Sequence, residues 1–105
     1  MIPQLRVWHR KYEAAGLTIV GVHTPEFLWE RPYERVVEAV RRLDIRYPVV
    51  QDNDSALWKR FGVWAWPTRV LVDRRGIVRF SHIGEGAYAE TEALIARLLA
   101  EPAGE

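Results

Sequence analysis

An α/β domain is predicted from three observations on this chain of 105 residues. Apolar residues at spacings of three and four alternate with short β-rich runs, glycine or proline stands at most of the changeovers, and only a tight turn separates the last two strand-like runs. The predicted order is helix, strand, helix, strand, helix, strand, strand, helix, an α/β layer fold ending in an antiparallel hairpin. At 49% apolar residues, with five Trp, the composition excludes a disordered chain. A single domain spans residues 1–101, and residues 102–105 form a frayed tail. A domain this small buries only about 60–65% of the surface its unfolded chain exposes, so its stability is thin.

Ile2, Leu5, Trp8 and Tyr12 form one apolar stripe, with Arg6, His9, Arg10, Lys11 and Glu13 on the other side. Gly16 is a C-cap, giving a helix over 3–15 that starts without a preceding strand or cap signal. Residues 17–22 are apolar on both faces apart from Thr18, as in a buried parallel strand. The loop 23–31 carries Pro25, Phe27 and Trp29; Pro32 then suits the first turn of a second helix, whose inner face is Tyr33, Val36, Val37, Val40 and Leu43. A short strand over 47–50 leads to the turn Asp52-Asn53-Asp54. Asp54 or Ser55 caps a short helix containing Leu57, Trp58 and Phe61, which Gly62 ends. After Trp66-Pro67, residues 68–72 are a strand, Asp73-Arg74-Arg75-Gly76 a hairpin turn, and 77–83 the return strand. Gly84-Glu85-Gly86 breaks the pattern, and a last helix over 88–100 buries Leu94, Ile95, Leu98 and Leu99.

Several function classes drop out. With 15 basic and 14 acidic residues the net charge is +1, and no stripe of cations interleaves with aromatics, so a nucleic-acid groove is not expected. No apolar run approaches the roughly 20 residues that span a bilayer. Met1 to Arg6 has neither the basic nor the apolar region of a signal peptide, so the chain as it stands reads as soluble and cytoplasmic. There is no cysteine, which removes disulfides, thiolate catalysis and Cys-based zinc sites. His9, His23 and His82 fit no metal-ligand spacing. An EF-hand starting at Asp52 needs Gly at its sixth position and Glu at its twelfth, where Leu57 and Val63 stand, so Asp52, Asn53 and Asp54 are a turn and cap. Gly84 and Gly86 are turn glycines, not a phosphate cradle. No metal or cofactor is expected. Trp8 and Trp58 sit at core spacings. Trp29, Trp64 and Trp66 lie in loops, where an exposed aromatic marks a binding surface or packs on a neighbouring loop.

Three stretches carry a family resemblance: Leu17-Thr18-Ile19-Val20-Gly21-Val22-His23-Thr24-Pro25-Glu26-Phe27, then Tyr47-Pro48-Val49-Val50-Gln51-Asp52-Asn53-Asp54 through Trp58 and Phe61-Gly62-Val63, then Trp66-Pro67-Thr68-Arg69-Val70-Leu71-Val72-Asp73 with Gly76 and Gly84-Glu85-Gly86. In this order they resemble the thioredoxin superfamily, and within it the redoxin and peroxiredoxin-related thiol–disulfide oxidoreductases of the cytochrome-maturation type. The resemblance implies a thioredoxin-like sandwich lacking its N-terminal central strand and the start of the active-site helix. Pro3 matches that helix's proline, so Met1 falls just after the position of the family's Cys-x-x-Cys pair.

The resemblance also implies a cis bond at Trp66-Pro67 and makes Trp66, Pro67 and Thr68 the loop that holds an extended, disulfide-bearing protein or peptide substrate. The bland alternative for Pro67 is the first residue of an edge strand. By lineage the function is thiol–disulfide exchange, in which a thiolate of lowered pKa attacks a disulfide. As given, the chain is incompetent for that step, through N-terminal truncation or a misassigned start. A non-catalytic peptide-binding module is the alternative, and a peroxide-reducing enzyme a weaker one whose essential cysteine is equally missing. Full-length relatives often work outside the cytoplasm or on a membrane anchor. Without the central strand, the edges of 17–22 and 68–72 are left bare, with Ile19, Val20, Val70 and Leu71 facing the gap. Either the two strands pair directly or a second copy covers them, the latter as a homodimer.

Overall fold

The computed structural model describes residues 1–25 and 32–102. Phe27 and Trp29, and all of the tail except Pro102, lie outside the described residues. The elements are α1 (Ile2–Tyr12) continued by a 3₁₀ turn (Glu13–Ala15), β1 (Gly21–His23), α2 (Tyr33–Arg42), β2 (Val49–Gln51), α3 (Ala56–Arg60), β3 (Thr68–Val72), β4 (Val78–Ile83) and α4 (Tyr88–Ala100). The predicted helix–strand order holds throughout.

Helix α1 uses Pro3 in its first turn, where a missing N–H costs nothing, and Gly16 closes the 3₁₀ turn at φ 116°, a left-handed conformation that glycine adopts freely. Two pairings make two separate two-stranded sheets. β1 and β2 run parallel with Val22 opposite Val50, and β3 and β4 run antiparallel with Val70 opposite Ser81. Among the described residues β1 pairs only with β2, and β3 only with β4. The direct pairing of the two bare edges is therefore not seen. Instead the first strand shrinks to three residues, and the run before it alternates. Leu17 and Ile19 are half-buried while Thr18, Val20 and Val22 are exposed. The expectation of apolar burial on both faces fails because a strand with a neighbour on one side only has less to be covered by. Val70 and Leu71 are half-buried.

The buried apolar core is Trp8, Val36, Tyr47, Ile95 and Leu98, so α1, α2 and α4 each contribute through a single stripe. Two further expectations are corrected. Tyr33 is exposed because it occupies the first position of α2, before the helix face turns inward, and Leu43 is exposed just past its end. Ser55 stands at the N-cap of α3 but makes no side-chain cap bond; Asp52 takes that role from further upstream. In the hairpin, Asp73 Oδ1 accepts the N–H groups of Arg75 and Ile77 at 2.9 and 3.0 Å, and Gly76 takes φ 81°. This side-chain-closed turn, with an irregularity between Leu71 and Val72, sets the β3–β4 register.

Candidate functional site

The site is built on the loop that joins α3 to β3. The Trp66–Pro67 bond is cis, and the Pro67 carbonyl accepts the Gly84 N–H at 2.7 Å, tying the loop to the end of β4. Thr68 Oγ1 donates to the Ala65 carbonyl at 2.7 Å across the proline. The Trp66 indole N–H donates to the Thr24 carbonyl at 3.1 Å, which joins this loop to the end of β1. On its other side the Trp66 ring lies against Trp58, centroids 4.1 Å apart and planes tilted by 36°. So Trp58 is half-buried, as the helical spacing suggested, but its partner is a loop tryptophan.

Asp52 organises the frame beneath. It is buried, and one carboxylate oxygen accepts the Leu57 N–H while the other accepts both the Trp58 N–H and the Thr24 hydroxyl, at 2.8–3.0 Å. Burial works to raise its pKa, but the hydrogen bonds from Leu57, Trp58 and Thr24 outweigh it and hold the carboxyl below its ordinary range. One ion thus fixes the start of α3, which carries Trp58, and the Thr24 segment to which Trp66 is anchored. The turn seen in Asp52-Asn53-Asp54 is this device.

Behind the loop lies a residue that sequence reasoning missed. Arg69, the second residue of β3, is only 6% exposed. Its guanidinium carbon sits 4.9 Å from the centre of the Tyr88 ring and 5.9 Å from that of Trp8. Nη2 donates to the Gly86 carbonyl and to Thr91 Oγ1, while Nε and Nη1 are buried with no hydrogen-bond partner. The available signal was a lone cation in an otherwise apolar strand, Thr68–Val72. Gly84-Glu85-Gly86 forms the adjoining turn, where Glu85 accepts the Tyr88 hydroxyl and the Met1 amine.

The structure brings Trp66, Pro67 and Thr68 together with Trp58, Thr24 and Asp52. It leaves the three histidines apart: His9 faces Glu13 and Tyr47, His82 meets the Glu85 carbonyl, and His23 closes β1. No cluster able to hold a metal ion occurs among the described residues. Trp64 is 74% exposed, which decides its reading in favour of surface. No helix among the described residues is long and apolar enough to cross a membrane. With no cysteine in the sequence, the loop has no thiol of this chain opposite it.

Comparison with known proteins agrees with this geometry. The AhpC/TSA family profile matches residues 1–81. The protein DipZ of Mycobacterium tuberculosis is 39% identical over 98 residues, which are 93% of this chain but 14% of DipZ. The chain thus spans about one seventh of the length of that relative. Among solved structures, a thiol:disulfide interchange protein DsbE from Chlorobium tepidum superposes with a TM-score of 0.76 at 26% identity, over 94% of this chain and 66% of its own. A putative thioredoxin from Neisseria meningitidis gives a TM-score of 0.82 at 23% identity, over 92% of this chain and 62% of its own, which supports the fold. The chain belongs to the AhpC/TSA family and has the thioredoxin-like fold of the redoxin thiol–disulfide oxidoreductases.

Proposed function

We propose that this chain is the substrate-holding portion of a thioredoxin-like thiol–disulfide oxidoreductase, with the redox cysteines in sequence outside these 105 residues. The observation that carries the reading is the Trp66–Thr68 loop, hydrogen-bonded to Thr24, Ala65 and Gly84, in an AhpC/TSA-family chain without a single cysteine. Trp66, Pro67 and Thr68 present backbone to an extended protein or peptide, while thiolate attack belongs to another segment. In support, the chain covers 66% of the DsbE structure and 62% of the Neisseria structure, leaving about a third of each unmatched. A stand-alone binding module is less favoured, because the matched family and the DsbE relative are both redox proteins.

Assembly is a separate matter and concerns the 105-residue chain by itself, without an upstream strand. Val20, Val22 and Val72 stay exposed beside strands that have one neighbour each among the described residues, so a second copy is the expected cover, as a homodimer.

The test has two arms. Purified chain, supplied with dithiothreitol and insulin, should show no reductase turnover above a control without protein. The in-frame coding sequence upstream of Met1 should encode an apolar strand followed by Cys-x-x-Cys. Turnover from metal-free protein of verified sequence, or a stop codon close upstream, overturns the proposal.

A further inference from the structure

We propose that the end of the domain opposite the cis-proline loop docks an acidic protein segment.

Topology defines that end. β3 starts beside the end of β1, where the Trp66 N–H meets the Thr24 carbonyl, so its far end and the 73–76 turn lie where β1 begins. There a Cβ added to Gly16 would stand 3.5 Å from Arg74 Nη2 and 3.7 Å from Leu99, and Arg74 Nη2 donates to the Leu99 carbonyl at 3.1 Å. β1 and β2 are parallel, so the α2 crossover between them also finishes at this end. Arg6 fastens it to α1 by donating to the Leu43 carbonyl at 3.2 Å. The C-terminal ends of three helices and the hairpin turn thus share one pole of the fold.

Charge segregates to that pole. Residues 6–16, 38–46, 73–79 and 97–101 hold ten of the 15 basic residues and five of the 14 acidic ones, which leaves five basic and nine acidic elsewhere. Cations are favoured at helix C-termini, but capping uses only some of these. Arg10, Arg41, Arg75 and Arg97 are exposed and make no side-chain hydrogen bond or ion pair among the described residues. Asp44 cannot neutralise its surroundings, because one carboxylate faces three guanidinium groups. Arg46, bonded to it at 2.7 Å, does most to hold its carboxyl below the ordinary range, and Arg6 and Arg10 add to the effect. By the hairpin a hollow of about 400 Å³ opens, with Ile77 and Pro102 in its wall. Arg79 is occupied there by Asp73 and Glu101 at 2.8–3.0 Å, so Arg74 and Arg75 are left to face an incoming carboxylate.

These features select the occupant. Guanidinium groups match carboxylates in a planar, two-bonded fork. A lipid surface favours Trp and Tyr at its contact, yet the exposed large apolar side chains of these segments are Val7, Leu43, Ile77 and Val78, all aliphatic. A second copy using the same face would set arginine against arginine. A partner held here leaves Trp66, Pro67 and Thr68 open at the other end of β3.

The experiment uses the 105-residue chain. The probe is a capped, fluorescein-labelled dodecapeptide of Glu, Asp and Ala, read by anisotropy beside its Lys counterpart, phosphatidylcholine vesicles containing phosphatidylserine, and inorganic phosphate as competitor. The acidic peptide should bind at least about tenfold more tightly than the Lys peptide and lose about fivefold or more between about 50 and 200 mM salt. Arg10→Ser, Arg41→Ser, Arg75→Ser and Arg97→Ser combined should weaken it about tenfold or more. Lys59→Ser with Arg60→Ser, exposed in the last turn of α3 near the opposite pole, should change it less than about twofold. The four arginines lack intramolecular partners, so melting should be unchanged; if the combined variant misfolds, amide chemical shifts of the unaltered chain decide, moving at 38–46 and 73–79 and not around Trp66. Equal peptide affinities, no binding, an equal effect from the α3 pair, shifts centred on Trp66, binding confined to vesicles, or displacement by millimolar phosphate each overturn the proposal. No thiol chemistry enters the measurement, so its failure leaves the oxidoreductase reading to its own test.

Discussion

Trp8→Ala should be the most damaging single truncation in this fold. Trp8 is 1% exposed, its ring meets the Tyr88 edge at 6.0 Å, and it forms one wall around the Arg69 guanidinium. Its indole N–H donates to Glu92 Oε1 at 2.8 Å, which ties α1 to α4. Removing a buried Trp side chain costs about 3–5 kcal/mol, and the whole domain is held by only about 5–15 kcal/mol. The melting temperature should therefore fall by roughly 12 °C or more, at about 4–8 °C per kcal/mol. Trp8→Phe keeps most of the apolar contact and loses the hydrogen bond, so it should cost about 1 kcal/mol. Urea denaturation followed by far-ultraviolet circular dichroism measures both. If Trp8→Ala lost less than about 1 kcal/mol, or no more than Trp8→Phe, then α1 is not packed through this residue and the core assigned here is wrong.

Asp52 should make stability acid-sensitive. Its carboxyl is held below its ordinary range when folded, so its contribution is present above an unfolded pKa of about 3.9 and is lost as the pH falls through that region. Asp52→Asn should be less stable at pH 7 and decline less steeply on acidification; an unchanged slope in pH-dependent melts would refute the role. Arg69→Met removes two buried nitrogens without partners, at about 1–3 kcal/mol each, and gives up bonds to Gly86 and Thr91 of similar size, so its stability should stay within about 1 kcal/mol of the parent. A loss above about 3 kcal/mol in urea titration would refute this balance and show that the Tyr88 and Trp8 ring contacts outweigh the unpartnered nitrogens. For the homodimer, light scattering coupled to size exclusion at micromolar protein should give twice the 12.2 kDa chain mass, and Val22→Lys should shift it towards monomer. A monomer that unfolds cooperatively would refute the assembly.

Local patterning was enough for the order of elements. The last helix, expected over about 88–100 and found at Tyr88–Ala100, was legible because its apolar spacing is long and Gly84-Glu85-Gly86 marks the break before it. The β3–β4 hairpin was legible too, since Asp73 and Gly76 carry turn chemistry within a few residues. What tertiary structure decided were the features that depend on a distant partner. Whether residues 17–22 are covered on both faces depends on which strands flank β1, and only three residues pair. The cap of α3 comes from Asp52 rather than its immediate neighbours, because the chain folds back over the helix start to offer both carboxylate oxygens. Arg69 is buried because Trp8 and Tyr88, sixty-one residues before it and nineteen after it in sequence, close over the same strand. Periodicity reports which face of an element is apolar; which charged side chain that face encloses is settled only when the elements meet.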